Sequence, residues 1–132
     1  MTSVGWKSVY AILIGAATVI VVTTLIDIAL HAANVYPPLE QPIDDALALL
    51  ASSYRLVIGI GAASLTARLA PNSPMKHALV LGALGAAAAL AGVVTTWNAG
   101  LGPRWYPISL VILAIPEAWV GARLRSFRNS PA

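Results

Sequence analysis

The chain has 132 residues, of which 58% are hydrophobic and 10% are charged, and its mean hydropathy is +0.79. Because soluble domains carry about 25% charged residues, this composition excludes an ordinary soluble domain and predicts an integral membrane protein. The net charge is +3, and the absence of cysteine excludes disulfides, thiolate metal sites and cysteine nucleophiles.

Four apolar segments follow one another along the chain, each near the length of roughly 20 residues that a helix needs to cross the hydrocarbon core. The predicted spans cover residues 8–30, 45–69, 75–97 and 105–123. The first is longer than the apolar run of roughly 7–15 residues in a secretory signal, so we expect it to remain as a span. Apolar and polar residues do not alternate with a period of two, so the sequence does not favour a β-barrel. The sequence predicts an all-α fold, a single domain over residues 1–132 that forms a bundle of four transmembrane helices.

Local signals mark the start of two of these helices. Asp44 or Asp45 can cap the second helix, where a carboxylate accepts hydrogen bonds from free main-chain N–H groups and suits the positive end of the helix dipole. Ser73 followed by Pro74 is typical of an N-cap and the first position of a helix. Both signals lie where the second and third apolar segments begin.

Basic residues are distributed unevenly between the two predicted membrane faces. Six of the eight lie on the side of the two termini, namely Lys7, Arg68, Lys76, Arg123, Arg125 and Arg128. The connection between the first two spans contains acidic residues and neither lysine nor arginine. Because short loops rich in lysine and arginine stay in the cytoplasm, we expect both termini there and the first connection outside.

Small residues recur on the second and third spans at the spacing of one helical turn. Gly59, Ala63 and Ala67 follow this spacing in the second span, and Ala88 and Gly92 follow it in the third. Small residues let helix backbones approach closely within a membrane. The pattern fits an oligomer interface and packing inside a single bundle equally well.

Ionisable residues inside the predicted spans are candidates for function, because they are rare in membrane helices. At about 1.5 Å per helical residue, Arg55 and Glu117 both lie near the midplane, and Asp27 lies roughly 10–12 Å nearer the outer face. We therefore expect Glu117 to be the partner of Arg55, in a polar cluster that includes Tyr54. The cluster fits a proton- or substrate-binding site and a structural ion pair equally well.

Asp27 and His31 lie four residues apart on one face of the first helix, near the outer boundary of the membrane. A hydrogen-bonded pair is the simplest interpretation, because two ligands alone make a poor transition-metal site. We expect no metal, no cofactor and no catalytic residue. No nucleophile–base arrangement, phosphate-binding loop or nucleic-acid signature appears in the sequence.

Several short motifs lie between residues 35 and 122. They are Val35-Tyr36-Pro37-Pro38, Gln41-Pro42, Tyr54-Arg55, Thr66-Ala67-Arg68-Leu69-Ala70-Pro71, Pro74-Met75-Lys76-His77-Ala78, Thr96-Trp97-Asn98 and Gly102-Pro103-Arg104-Trp105-Tyr106-Pro107. In these motifs the chain resembles a group of small bacterial membrane proteins with four spans and no assigned activity. The resemblance implies a bacterial inner membrane. Small multidrug-resistance transporters are similar in length and span count, but their first helix carries a central glutamate where this one has Asp27 near its outer end.

These observations favour a non-enzymatic membrane component, an accessory or scaffold subunit of a larger complex that can bind lipid. The alternative is a small homodimeric carrier or channel that uses a buried Arg55–Glu117 pair. The expected partners are the lipid bilayer and either further copies of the chain or a larger membrane complex, with no nucleic acid. An intramembrane enzyme acting on a lipid or quinone would require Asp27, His31 or Tyr54 to face one shared cavity.

Overall fold

The computed structural model describes residues 2–128, with side chains for residues 2–125. Four helices make up this range: α1 (Ser3–Ala32), α2 (Asp45–Leu69), α3 (Pro74–Thr96) and α4 (Trp105–Arg128). All four are long and apolar enough to cross a membrane, with mean hydropathy from 1.4 to 2.4 over their most apolar windows. The described residues contain no strand. The predicted all-α four-helix fold is confirmed, and these helices indicate a multi-pass membrane protein.

Large apolar side chains on the outside of the bundle suit a hydrocarbon environment. Ile20 of α1 is 65% exposed, Val57 of α2 is 69%, Val94 of α3 is 72% and Ile112 of α4 is 65%. Soluble proteins rarely leave such extended apolar surfaces in water. All four helices therefore present an apolar face that lipid tails can cover.

The predicted start of α2 is confirmed, whereas the start of α3 differs in detail. Asp44 Oδ1 accepts a hydrogen bond from the main-chain N–H of Leu47 at 2.8 Å. Ser73 does hold the N-cap position before Pro74, but its φ is +40° and its side chain makes no capping bond. Its main-chain carbonyl instead accepts the N–H of Lys76 at 3.0 Å, so the backbone closes this helix end.

The helices alternate in direction, and α2 packs against all three others. We call the end that holds the α1–α2 and α3–α4 connections the distal end, and the end that holds the α2–α3 connection the terminal end. The two distal connections are joined, because the N–H of Ile43 donates to the carbonyl of Leu101 at 3.0 Å. Trp105 Nε1 also donates to Asp45 Oδ1 at 2.7 Å, which links the first turn of α4 to the first turn of α2.

The buried core lies in the half of the bundle nearer the terminal end and consists almost entirely of small residues. Its members are Ala62, Ala63, Ala67, Ala78, Leu81, Ala118 and Ala122. Thr66 is fully buried and donates to the main-chain carbonyl of Ala11 at 3.1 Å, which fixes α2 against α1. The small residues of α2 therefore pack inside the bundle, which is one of the two roles that their spacing allowed.

The basic tail predicted after the fourth span lies at the terminal end. The Arg123 guanidinium lies over the Trp119 ring, with 5.0 Å from its Cζ to the ring centroid. The side chain of Arg128 lies outside the described residues. A cation over an aromatic ring is favourable where the side chains remain accessible, so this contact helps to order the end of α4.

Glycines at the helix contacts should be sensitive to added volume. A Cβ atom at Gly82 would lie 2.7 Å from Ala118 Cβ and 2.9 Å from the carbonyl oxygen of Ala114, whereas one at Gly61 would meet nothing within 4 Å. We expect Gly82→Ala to lower the free energy of unfolding in detergent by about 1–3 kcal/mol, the usual cost of overpacking. Gly61→Ala is the matched control and should leave stability unchanged or raise it. Equal stabilities for the two variants would contradict this packing.

Candidate functional site

An ion pair and two tyrosines form a hydrogen-bonded network between α1 and α2 in the distal half of the bundle. Arg55 Nη2 donates to Asp27 Oδ2 at 2.6 Å. The Tyr54 hydroxyl donates to the other carboxylate oxygen of Asp27. Tyr36, which is buried, holds its hydroxyl 2.8 Å from that of Tyr54. Both oxygens of the Asp27 carboxylate therefore accept a hydrogen bond from α2.

The direction of side chains on a helix explains why Arg55 reaches Asp27. The Cα–Cβ bond of a helical residue tilts toward the N-terminus of its own helix. Since α1 and α2 are antiparallel, Arg55 extends toward the distal end and Asp27 extends away from it. The Cα atoms of Asp27 and Arg55 lie at different heights along the bundle, and the two side chains extend toward each other and close this gap.

The predicted pairing of Arg55 with Glu117 is wrong. The Glu117 carboxyl group lies against Gly59, one turn further from the distal end than Arg55, so closely that a Cβ atom at Gly59 would overlap it. The depth estimate counted only positions along the helices, whereas the long Arg55 side chain extends toward the distal end and reaches Asp27, away from the level of Gly59. Glu117 therefore does not belong to the cluster that joins Arg55, Tyr54 and Asp27.

The predicted link between Asp27 and His31 exists, but through the main chain. His31 Nδ1 lies 2.8 Å from the main-chain carbonyl oxygen of Asp27. The imidazole also packs edge-on against the Tyr36 ring, with 5.3 Å between the ring centroids. His31 consequently packs against Tyr36 of the network, while the Asp27 carboxylate accepts hydrogen bonds from Arg55 and Tyr54 of α2.

A cavity of about 730 Å³ adjoins the network at the distal end, and we call it the distal cavity. The network lines it from α1 and α2, and small residues line it from α3. Prolines and aromatic residues of the two distal connections also line it. The lining residues include Asp27, His31, Tyr36, Pro37, Pro38, Gln41, Tyr54, Arg55, Ala88, Ala89, Gly92, Trp97, Pro103, Arg104, Tyr106, Pro107 and Leu110. The cavity is thus apolar over most of its wall, with polar side chains from the network and from the distal connections.

Hydrogen-bond donors remain available around this cavity. Arg55 Nε is buried without a partner, and the side chain as a whole is 29% exposed. Arg104, at the rim, holds its guanidinium over the Trp97 ring, with 4.6 Å from Cζ to the ring centroid. Because Arg55 lines the cavity with a partly exposed side chain, its guanidinium can also donate to an acceptor oxygen of a molecule bound there.

Gly92 on α3 leaves open space in the wall that faces the network. A Cβ atom at this position would meet nothing within 4 Å. Ala88, one turn earlier, lines both the distal cavity and a second cavity of about 190 Å³ in the middle of the bundle. We call this second space the central cavity, and Glu117 is part of its lining.

Sequence reasoning missed three residues of the site. Tyr36, Arg104 and Tyr106 were named only as members of short motifs and were given no role in a site. Each of the two tyrosines precedes a proline, and all three residues line the cavity. The repeated Tyr-Pro pair was the available signal, because it places a hydroxyl-bearing ring at both distal connections.

Neither a metal site nor a relative identifies this chain. Among residues 2–128, no group of three histidine, aspartate or glutamate side chains is arranged to hold a metal ion. No protein-family model, curated protein or solved structure matches the chain significantly. The two cavities and the ion pair are therefore the features that bear on function.

A double-mutant cycle should separate the observed pair from the predicted one. For Asp27→Asn combined with Arg55→Gln, we expect a coupling of about 0.5–3 kcal/mol in the free energy of unfolding, because the two side chains are in direct contact. Glu117→Gln combined with Arg55→Gln should be additive to within about 0.5 kcal/mol. Unfolding in mixed micelles measures both cycles, and strong coupling in the second cycle alone would contradict the structure.

Proposed function

We propose that this chain is a non-enzymatic integral protein of a bacterial inner membrane that binds an amphipathic molecule in the distal cavity. It would act as an accessory or scaffold subunit that holds this molecule within a membrane assembly. The single observation that carries the proposal is the cavity itself, whose lining is mostly apolar and includes the Asp27–Arg55 pair.

The size and chemistry of the cavity suit a ligand of this kind. Its volume of about 730 Å³ falls within the range of roughly 300–1,000 Å³ that is typical of small-molecule sites. Such sites combine apolar walls with a few placed polar groups that orient the ligand. An apolar chain can lie along Ala88, Ala89 and Gly92, while an oxygen-bearing head group can accept from Arg55.

The distribution of charge supports the proposed location and orientation. Basic residues cluster at the terminal end, and the α1–α2 connection at the distal end carries acidic residues without lysine or arginine. The positive-inside rule then places the terminal end in the cytoplasm. With this orientation the distal cavity opens within the outer half of the bilayer, where the head group of a lipid-like molecule lies near the two distal connections.

The state of the polar residues favours binding over catalysis. Asp27, His31 and Tyr54 do line one shared cavity, as an intramembrane enzyme would require. However, both oxygens of the Asp27 carboxylate already accept hydrogen bonds from Arg55 and Tyr54. These two bonds hold the carboxylate against α2, so this network is better suited to orienting a bound molecule.

Filling the cavity should release the bound molecule without disturbing the fold. Gly92→Leu places a side chain in the open space of the distal cavity, whereas Gly61→Leu places the same side chain where no atom lies within 4 Å and outside both cavities. We expect native mass spectrometry from nanodiscs to show a bound amphipathic molecule in the wild type and in Gly61→Leu. The signal should be lost in Gly92→Leu.

The same spectra test the accessory role, because a foreign subunit adds its own mass. Arg55→Ala should weaken retention of the bound molecule, while Arg123→Ala removes an equal charge at the terminal end and should not. Equal retention in Gly92→Leu and Gly61→Leu, or a wild type that carries neither ligand nor partner, would contradict the proposed function.

A small homodimeric carrier is the second candidate, and one observation favours it. The distal and central cavities share Ala88 and so adjoin each other, and the two cavities are lined by polar groups at two depths. Arg55 and Glu117 would then act as separate sites rather than as a pair. Flux of a cation or organic substrate into liposomes should fall strongly in Arg55→Ala and in Glu117→Gln, with Arg123→Ala as the control. Flux that survives both changes removes these residues from any transport mechanism.

A further inference from the structure

The lining of the distal cavity carries one positive charge that no side chain neutralises. Its charged residues are Asp27, Arg55 and Arg104. Asp27 and Arg55 neutralise each other through their ion pair. Arg104, in contrast, forms no ion pair with any side chain among residues 2–125. A mostly apolar cavity thus has an unbalanced cation at its rim.

The acidic residues that precede α2 do not supply the missing negative charge, although they belong to the same end of the bundle. The Asp44 carboxylate caps α2 by accepting a main-chain N–H, and the Asp45 carboxylate accepts from Trp105 Nε1. Neither of them, nor Glu40, lines the cavity. The position beside Arg104 is therefore not taken by a carboxylate from the described part of the chain.

Trp97 holds the Arg104 guanidinium in place at the rim. The Arg104 Cζ lies 4.6 Å from the centroid of the Trp97 ring, and Arg104 Nε donates to the Trp97 carbonyl oxygen at 3.3 Å. The two terminal nitrogens of the guanidinium form no hydrogen bond within residues 2–125. A guanidinium presents its N–H groups as a planar fork that matches two oxygens of a carboxylate or phosphate.

We propose that the distal cavity selects an anionic amphiphile, whose phosphate or carboxylate head group is held by Arg104 at the rim as well as by Arg55. The inference rests on the proposed function and adds the chemical class of the ligand. The head group supplies the negative charge that the lining lacks, and the apolar chain lies along the small residues of α3. A neutral or zwitterionic head group brings no net charge to balance Arg104.

Competition between two lipids with identical acyl chains measures this selectivity. Nanodiscs are made from equal amounts of phosphatidylglycerol, which carries one negative charge, and phosphatidylcholine, which carries no net charge. Native mass spectrometry then identifies the lipid that remains bound after the disc is removed. We expect the wild type to retain phosphatidylglycerol over phosphatidylcholine by about tenfold, the order that one charge-assisted hydrogen bond contributes.

Substitutions of two arginines that each lie over a tryptophan separate a specific site from general attraction to anionic lipid. Arg104→Gln should retain the two lipids equally, and Arg104→Lys should keep part of the preference, because the charge remains without the planar fork. Arg123→Gln is the matched control, since Arg123 lies over Trp119 at the terminal end and outside the distal cavity. Its preference should equal that of the wild type. Circular dichroism checks the helix content of each variant.

A second competition distinguishes a fatty acid from a phospholipid as the source of the anionic head group. Palmitic acid and methyl palmitate, which share one acyl chain, are added in equal amounts to phosphatidylcholine nanodiscs. Preference for the acid that depends on Arg104 assigns a carboxylate ligand. Preference for phosphatidylglycerol in the first competition, without preference for the acid in the second, assigns a phosphate ligand.

The outcomes separate this inference from the proposed function. A wild type that retains no amphiphile in either competition overturns both. A wild type that retains an amphiphile but shows no preference for the anionic member of either pair overturns the inference alone. A preference that persists undiminished in Arg104→Gln also overturns the inference alone, because the selectivity then has another source.

Discussion

The ion pair between Asp27 and Arg55 is the interaction on which the distal half of the molecule depends. Helices that cross hydrocarbon cannot leave a charge without a partner, because no water is present to solvate it. Each charge therefore fixes the rotation of its own helix, and the pair holds α1 against α2 at this depth. Tyr54 and Tyr36 extend the network from this point, and the distal cavity forms beside it.

The two halves of the bundle are built by different means. Toward the terminal end, alanines, glycines and the buried Thr66 allow close contact between helices, with dispersion as the main attraction. Toward the distal end, the polar network connects α1 to α2, and the joined connections hold the tops of the helices. The small residues of α3 there meet open space, as Gly92 shows. The tightly packed terminal half thus supports the distal half, which has room for a ligand.

The sequence was sufficient to predict the four helices, because length and hydropathy alone determine which segments can cross a membrane. It also predicted the Asp44 cap, which depends only on neighbouring residues. It was not sufficient to pair the charges. Helix order and side-chain direction decide that Arg55 reaches Asp27 while Glu117 rests on Gly59, and neither follows from depth. The cavities likewise arise from the arrangement of four helices, which no single segment encodes.

Ligand binding in the distal cavity can be observed in a structure of the chain in lipid nanodiscs, enlarged with a bound antibody fragment for electron cryomicroscopy. We expect elongated density in the distal cavity, along Ala88 and Gly92, with its polar end within hydrogen-bonding distance of Arg55. We also expect Arg55 and Asp27 to remain paired beneath that density. A cavity closed by contact of α3 with α1, with no density between them, would contradict ligand binding there.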